Sequence, residues 1–447
     1  MHLYKLLSTL LIASTLSSVT LDANAQAQTQ TQIPVHHSYV MKLDRWGNTV
    51  YQSVELDELD GKLSGYIDRD PIVGIRTGDS YIFTATAADK TTYIYRAKMT
   101  SEGLKGIADF PDSNHPKMRV QHAFSANKIP LRINKNPHTY HYVPTSYSNT
   151  FSPDRTPVLT IWSGDTVQTK TIDSGGVDEH GTTVALYGNP QTGPFYIADA
   201  DIGDVLAVHI KRLRLNRDYA DSLDMIVHKA QTTRLASRSA ELGQAIRWKL
   251  DLEHGLASPD TTSEKLKNFN VPVKPMLGGL AVAPGNGMPA ISTGDAGNFG
   301  GNMDFNEVVE GNTVYLAVNQ PGALLYLGDA HALQGDGETS QYALETSMDV
   351  EFSVEVIKHK QIAMPRVASP THIMTLGQAG SLDEALKLAT SGMTQWLAED
   401  YGLSLSESAQ ILGTSVEYRV VNLAGRSVGL AAKLDKRLLK NIKIKGK

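Results

Sequence analysis

No cysteine occurs among the 447 residues. That excludes a disulfide framework, a thiolate nucleophile and Cys-ligated zinc. Any catalysis therefore falls to hydroxyls, carboxylates, imidazoles, lysines or a metal held by O and N donors. Positive charge is not in excess either: 42 Lys+Arg stand against 47 Asp+Glu, a formal net charge of −5. This gives no electrostatic case for nucleic acid as a partner. Beyond the N-terminal stretch, no apolar run reaches the roughly 18 residues that a membrane helix needs. The phosphate-binding G-x-x-x-x-G-K-[ST], the dinucleotide-binding G-x-G-x-x-G after a strand and the zinc motif H-E-x-x-H are all missing. Gly425-Arg426-Ser427-Val428-Gly429 spells G-x-S-x-G. A nucleophile elbow needs a helix after its serine, whereas VGLAAKL reads as a strand, so Ser427 is read as a hairpin turn residue.

What is present is ordinary for a globular chain: 41% hydrophobic and 20% charged residues. At roughly 100–200 residues per domain, the length predicts two or three domains. Residues 1–25 have the form of a secretory signal, with Lys5 in a positive n-region, an apolar h-region and Ala23-Asn24-Ala25 as cleavage site. The mature chain is accordingly expected to be exported, to the periplasm or beyond, with no membrane attachment once the leader is cut after Ala25. Residues 26–37 read as a polar linker.

From residue 38 to 133, short period-two runs (NTVYQSVEL, KLSGYI, SYIFTATA, TTYIYRAKMT) alternate with turn residues such as Asp60-Gly61 and predict an accessory antiparallel β-domain. An aperiodic connection, rich in Pro, Asn and Tyr, leads into a second region at 154–447. There, strands are expected at 158–162, 166–172, 182–186, 195–198 and 205–213, mixed helical spacing at 218–268, and strands again at 271–358. Two capping boxes, Ser381 to Glu384 and Ser404 to Glu407, announce helices. The first is given an apolar face of Leu382, Leu386, Ala389, Met393, Trp396 and Leu397, with Gly402 as its C-terminal stop.

Chemistry concentrates between residues 292 and 345. A glycine-dense loop carries Asn302 and Asp304, and a second, Gly328-Asp329-Ala330-His331 to Gly335-Asp336-Gly337-Glu338, is followed by Glu345. Glycines let backbone approach a ligand closely, so polar side chains on such loops can converge. His331, Asp304, Asp336 and Glu338 offer the imidazole and carboxylate donors that divalent cations accept. Gly-Asp and Gly-Asp-Gly also form ordinary turns. Asp173, Asp178, Glu179 and His180 form an earlier cluster.

SGDTVQTKTID, GNPQTGPFYIADADIGDVLAVHI, GGLAVAP, GNFGGNMDFNEVVEGNTVYLAVNQPGALLYLGDAHALQGDGE, ALETSMDVEFSVEVIK, PTHIMTLG and DEALKLATSGMTQWLAEDYGL follow one another in order. Together they resemble the acetamidase/formamidase family over roughly residues 155–432. The resemblance implies a mainly β (α+β) fold: a core of sandwich or barrel-like halves with a C-terminal helical α/β portion, here preceded by the small antiparallel β-domain. It implies hydrolysis of a linear amide to carboxylate and ammonia, a divalent metal, zinc foremost, and a homodimer or higher homo-oligomer. On that footing Asp173, Asp304, His331 and Glu345 are the metal-ligand candidates, and Glu338 and Asp336 the acid/base candidates. Asn302, Gly300, Gly301 and Phe299 are the substrate-binding candidates, with the glycine N–H groups facing a developing oxyanion. Phe299 stands where family members commonly have a His before G-G-N. It favours the alternative reading, an exported small-ligand-binding protein on the same scaffold without catalysis.

Overall fold

Side chains on a strand alternate between two faces, and the runs at the start of the second hundred residues and before it use that alternation to fill a tube. The computed structural model describes residues 33–442 apart from 133, 135, 262 and 286; the leader at 1–25 and most of the linker lie outside the described residues. Eight antiparallel strands, from Val35–Arg45 to Arg119–Lys128, pair in chain order and close on themselves, with Met41 opposite Ala126. In Ser80–Thr86 the inward set is Tyr81, Phe83 and Ala85. Phe83 stacks on Tyr95 with ring centroids 5.1 Å apart. An eight-stranded barrel is just wide enough inside for side chains, and the aromatics occupy this one. Asp60 and Gly61 supply consecutive positive φ values of 50° and 73°, as a two-residue hairpin turn needs. The first strand starts at Val35, inside the stretch read as linker, because 35–37 pair across to 56–58. The barrel meets the following chain at Asp154, which accepts from Tyr51 Oη at 2.6 Å and lies 3.6 Å from Lys42 Nζ.

After the barrel, two large sheets of nine and 11 strands face each other. Val208, Leu316, Phe352 and Leu376 of one sheet share an apolar core with Leu280, Leu325 and Leu327 of the other. The expectation of a mainly β chain with few helices holds. Two local expectations do not. No strand forms at 182–186, where the Asp178 carboxylate instead accepts the amides of His180 and Thr182 in a turn. Within 218–268, the strands Tyr219–Leu223, Ala245–Asp251 and Leu256–Pro259 extend the 11-stranded sheet, and among the described residues α-helix is confined to Thr233–Ala236. Pairing with neighbours overrides local pattern there.

The helix Leu382–Tyr401 starts on Ser381, whose side chain accepts the Glu384 amide, and ends at Gly402 with φ 67°. Leu405–Ser415 has the full reciprocal box of Ser404 and Glu407. The hairpin of Glu417–Asn422 and Val428–Asp435 leaves Ser427 in its turn, with Oγ donating to the Ala296 carbonyl. The first helix buries a different face from the expected one at its start: Leu382 and Leu386 are exposed, while Ala385 and Gly392 are buried with Ala389, Met393, Trp396 and Leu397. The cause is close approach to the strand His372–Ala379. A Cβ on Gly377 would sit 1.8 Å from the Ala385 carbonyl oxygen, so only glycine fits at that position. Gly377→Ala is therefore expected to push the helix off the sheet at a cost of about 1–3 kcal/mol. Thermal denaturation checks this, and an unchanged Tm would contradict the seating.

Candidate metal centre

The site is assembled on Leu325–His331, a strand buried along its whole length and paired with Met276–Ala281. Asp329 and His331 are two residues apart, so they share a face. His331 stands directly opposite Glu345 in the short strand Glu345–Thr346. Asp304 arrives just beyond Gly300–Asn302, which pairs with the other side of Met276–Ala281. Glu338 comes from the loop between the strands that carry His331 and Glu345. Donor atoms of Asp304, His331 and Glu338 lie within 4.8 Å of one another, and so do those of Asp329, His331 and Glu345. His331 belongs to both groups, and all five side chains are buried. Its Nε2 is 3.3 Å from Glu345 Oε1 and 3.5 Å from Asp329 Oδ1.

Room for this concentration of carboxylates is made by the backbone. A Cβ on Gly278 would lie 2.6 Å from Asp304 Oδ1 and 2.7 Å from Asp329 Oδ2, so the strand passes beneath both only as glycine. Asp304, Asp329 and Glu338 all take positive φ, at 46°, 54° and 45°. That costs a non-glycine residue about 1–2 kcal/mol each, strain of the kind held at functional sites by the surrounding structure.

Amide side chains orient the acids. Asp304 Oδ2 accepts from Asn302 Nδ2 at 2.6 Å and from Asn422 Nδ2 at 2.5 Å. Asn189 Nδ2 donates to Asn302 Oδ1 at 2.8 Å and to Asp329 Oδ2 at 3.0 Å. Gln334 Nε2 donates to the Asp304 carbonyl, which leaves its Oε1 facing His331 Nδ1 at 3.0 Å. An oxygen there requires the proton on Nδ1, so in the neutral ring the Nε2 lone pair faces the cluster. Four buried atoms then have no hydrogen bond: Asp304 Oδ1, Asp329 Oδ1, His331 Nε2 and Glu345 Oε2. Buried polar atoms are ordinarily paired.

Electrostatics carry the same message. Burial, and then the charge of Asp329, push the Asp304 carboxyl up to about 8. Burial, and then Asp304, raise Glu338 well above the ordinary range, and burial raises Glu345. Burial works against a charged His331, but the neighbouring Glu345 and Asp329 carboxylates prevail and raise it well above its usual value. Four acids around one imidazole exceed what a buried chamber tolerates without protons or a cation to balance them. Carboxylate and imidazole donors with free lone pairs fit a divalent cation.

Residues 289–419 match the Acetamidase/Formamidase family. A crystal structure described as a predicted acetamidase/formamidase from Thermoanaerobacter tengcongensis is 27% identical, with TM-score 0.59 over 69% of this chain and 99% of its own. That of an acetamidase from Yersinia enterocolitica is 29% identical, with TM-score 0.60 over 69% of this chain and 94% of its own. A candidate formamidase of Schizosaccharomyces pombe is 39% identical over 61 residues, which span 13% of this chain and 15% of that relative. Over its core this chain is thus similar to acetamidases and formamidases.

Of the candidates read from sequence, the fold brings together Asp304, His331, Glu338 and Glu345, with Asn302 bonded to Asp304. It does not bring Asp173 to them. That carboxylate is paired with Arg217 at 2.7 Å, both buried, and Arg217 also donates to the Glu345 carbonyl at 3.1 Å, so the pair braces the strand behind the cluster. Asp336 lies partly exposed against Arg419 and Asn306. Phe299 packs in the main core, 5.7 Å from the Phe151 ring. Gly300 and Gly301 are paired on both sides, and a Cβ on either would lie within 2.3 Å of a neighbouring carbonyl, so they serve close strand packing. Asp329, Asn189, Gln334 and Asn422 are site residues that sequence reasoning passed over. For Asp329 a signal existed, the Asp-x-His alternation at the end of an apolar strand.

Two outcomes are expected. Arg217→Met strands a buried carboxylate and should lower stability by about 3–5 kcal/mol, most of it recovered in the Asp173→Asn/Arg217→Met double variant; chemical denaturation reads both, and equal loss in single and double variants would contradict the pairing. The second concerns pH. In the chelated protein the cluster carboxyls and His331 hold protons that the unfolded chain has released, because their folded pKa values are raised. Folding there takes up protons, so Tm should fall as pH rises from the usual carboxylate range towards about 8. A saturating divalent cation should flatten that slope, and a chelated Tm that rises over this window would contradict the charge reading.

Proposed function

We propose that this chain is an exported, metal-dependent hydrolase that cleaves a linear amide to the carboxylate and ammonia, working as a homo-oligomer. The leader pattern at 1–25 supports export. The reading is carried by one observation: four unpaired donor atoms converge in a buried chamber on an acetamidase/formamidase-type core. Asp304, Asp329, His331 and Glu345 are the residues that would hold the metal. A divalent cation such as zinc, bound there, supplies Lewis acidity and lowers the pKa of a bound water towards ~7.

The chain's own groups do the remainder. Glu338 is the acid of the cluster that also lines an open cavity. In the metal-free chain, burial and then the Asp304 charge raise its pKa above the ordinary carboxylate range. It takes the proton of the attacking water as the C–O bond forms and delivers it to the amide nitrogen as the C–N bond breaks. Amide plus water thus become carboxylic acid plus ammonia, and transfer of the acid's proton to ammonia gives carboxylate and ammonium. Gln334 keeps His331 in the tautomer that presents Nε2, and Asn302 and Asn422 hold Asp304 in place. Phe299, which favoured a non-catalytic binding protein, is a core residue packed on Phe151.

Elemental analysis paired with ammonia release from an amide panel tests this. His331→Ala is expected to lose the metal. Glu338→Gln is expected to keep it and lose turnover by about 100-fold or more. Wild-type turnover in both variants would sink the assignment.

A further inference from the structure

Glu338, of the cluster, and Gln334, bonded to His331, also line a cavity of about 490 Å³. That size lies within the roughly 300–1,000 Å³ of sites for drug-sized ligands, whereas acetamide carries a single methyl group on its carbonyl. The walls are apolar: Ile246, Trp248, Leu266, Phe269, Val271 and Leu344. Trp248 and Phe269 set their rings at 70° with centroids 6.2 Å apart, an aromatic corner open to solvent on the Phe269 side, where that residue is 46% exposed.

Several polar groups of the cavity are already engaged. Asp224 accepts the amides of Gly243 and Gln244, and Ser222 Oγ donates to the Tyr342 carbonyl. Among the described lining residues there is no lysine or arginine to meet a second carboxylate. A ligand in this cavity is thus met mainly by apolar area, with the Glu338 carboxyl of the cluster beside it.

We infer that the cavity is an acyl pocket, and that the substrate is a primary amide whose acyl side is a bulky, uncharged apolar group, aromatic or branched. This rests on the proposed amide hydrolysis at the adjoining cluster. The carboxamide reaches Glu338 while the acyl group lies against Trp248 and Phe269. Formamide and acetamide leave those walls unfilled.

The test compares kcat/KM for acetamide, isovaleramide and phenylacetamide on the metal-loaded wild-type chain. Apolar pockets discriminate by about 10–200-fold per group filled or left empty, so phenylacetamide is expected to exceed acetamide at least tenfold. Phe269→Ala, at a half-exposed position where folding is not threatened, and Trp248→Ala should each reduce the phenylacetamide-to-acetamide ratio, chiefly through KM for the aromatic amide. Phenylacetate should compete more tightly than acetate as a product inhibitor. Acetamide turned over as well as phenylacetamide, with a ratio unmoved in both variants, would overturn the acyl pocket and leave amide hydrolysis standing. A metal-loaded chain that cleaves no member of the panel would overturn both.

Discussion

Charge crowding in one closed chamber is the constraint around which the second half of this protein is arranged. Asp304, Asp329, Glu338 and Glu345 are brought to a single imidazole in a place from which water is largely excluded. An unsatisfied buried polar group costs about 1–3 kcal/mol, and four such atoms together rival the whole stability of a typical domain, about 5–15 kcal/mol. Such an arrangement persists because the sheets on either side over-determine it. Leu325–His331 is locked by pairing with Met276–Ala281, and Gly278 removes the one side chain that would collide with two of the acids.

Apolar burial supplies the rigidity that the polar chamber spends. The core between the two large sheets continues through Leu280, Leu325 and Leu327, on the same strands that bring Gly278, Asp329 and His331 to the chamber. The strand Leu325–His331 has a double duty: Leu325, Leu327 and Ala330 are core residues, and Asp329 and His331, at its end, chemical ones. A second layer of amides, from Asn189, Asn302, Gln334 and Asn422, satisfies the outer lone pairs and leaves the inner ones free. The division between engaged and free donor atoms separates a binding chamber from a merely strained one.

The barrel obeys a simpler rule. Its interior is filled with tyrosine and phenylalanine, its turns are short, and its contact with the rest of the chain includes the Tyr51–Asp154 hydrogen bond, away from the metal-ligand candidates. The cavity beside Glu338 is walled instead by strands from 245–259 and the segment leading to Val271. That region carries no clear local pattern, and its strands exist because a neighbouring edge offers them hydrogen bonds.

Where local signals and tertiary demands agree, the sequence alone was enough. Alternating runs with Asp60-Gly61 turns specify the barrel strands, Ser381, Ser404 and Gly402 mark the helix ends, and the glycine-rich loops around Asp304 and His331 point to the site. These are readable because each depends on residues a few positions apart. Only the assembled sheets decided that Asp329 joins the cluster, that Asp173 is claimed by Arg217, that Phe299 belongs to the core and that Asp336 serves Arg419. Each of those outcomes depends on which partner, tens of residues away, reaches a side chain first. It also depends on how much charge a closed space can hold, and both are properties of the fold and not of any segment.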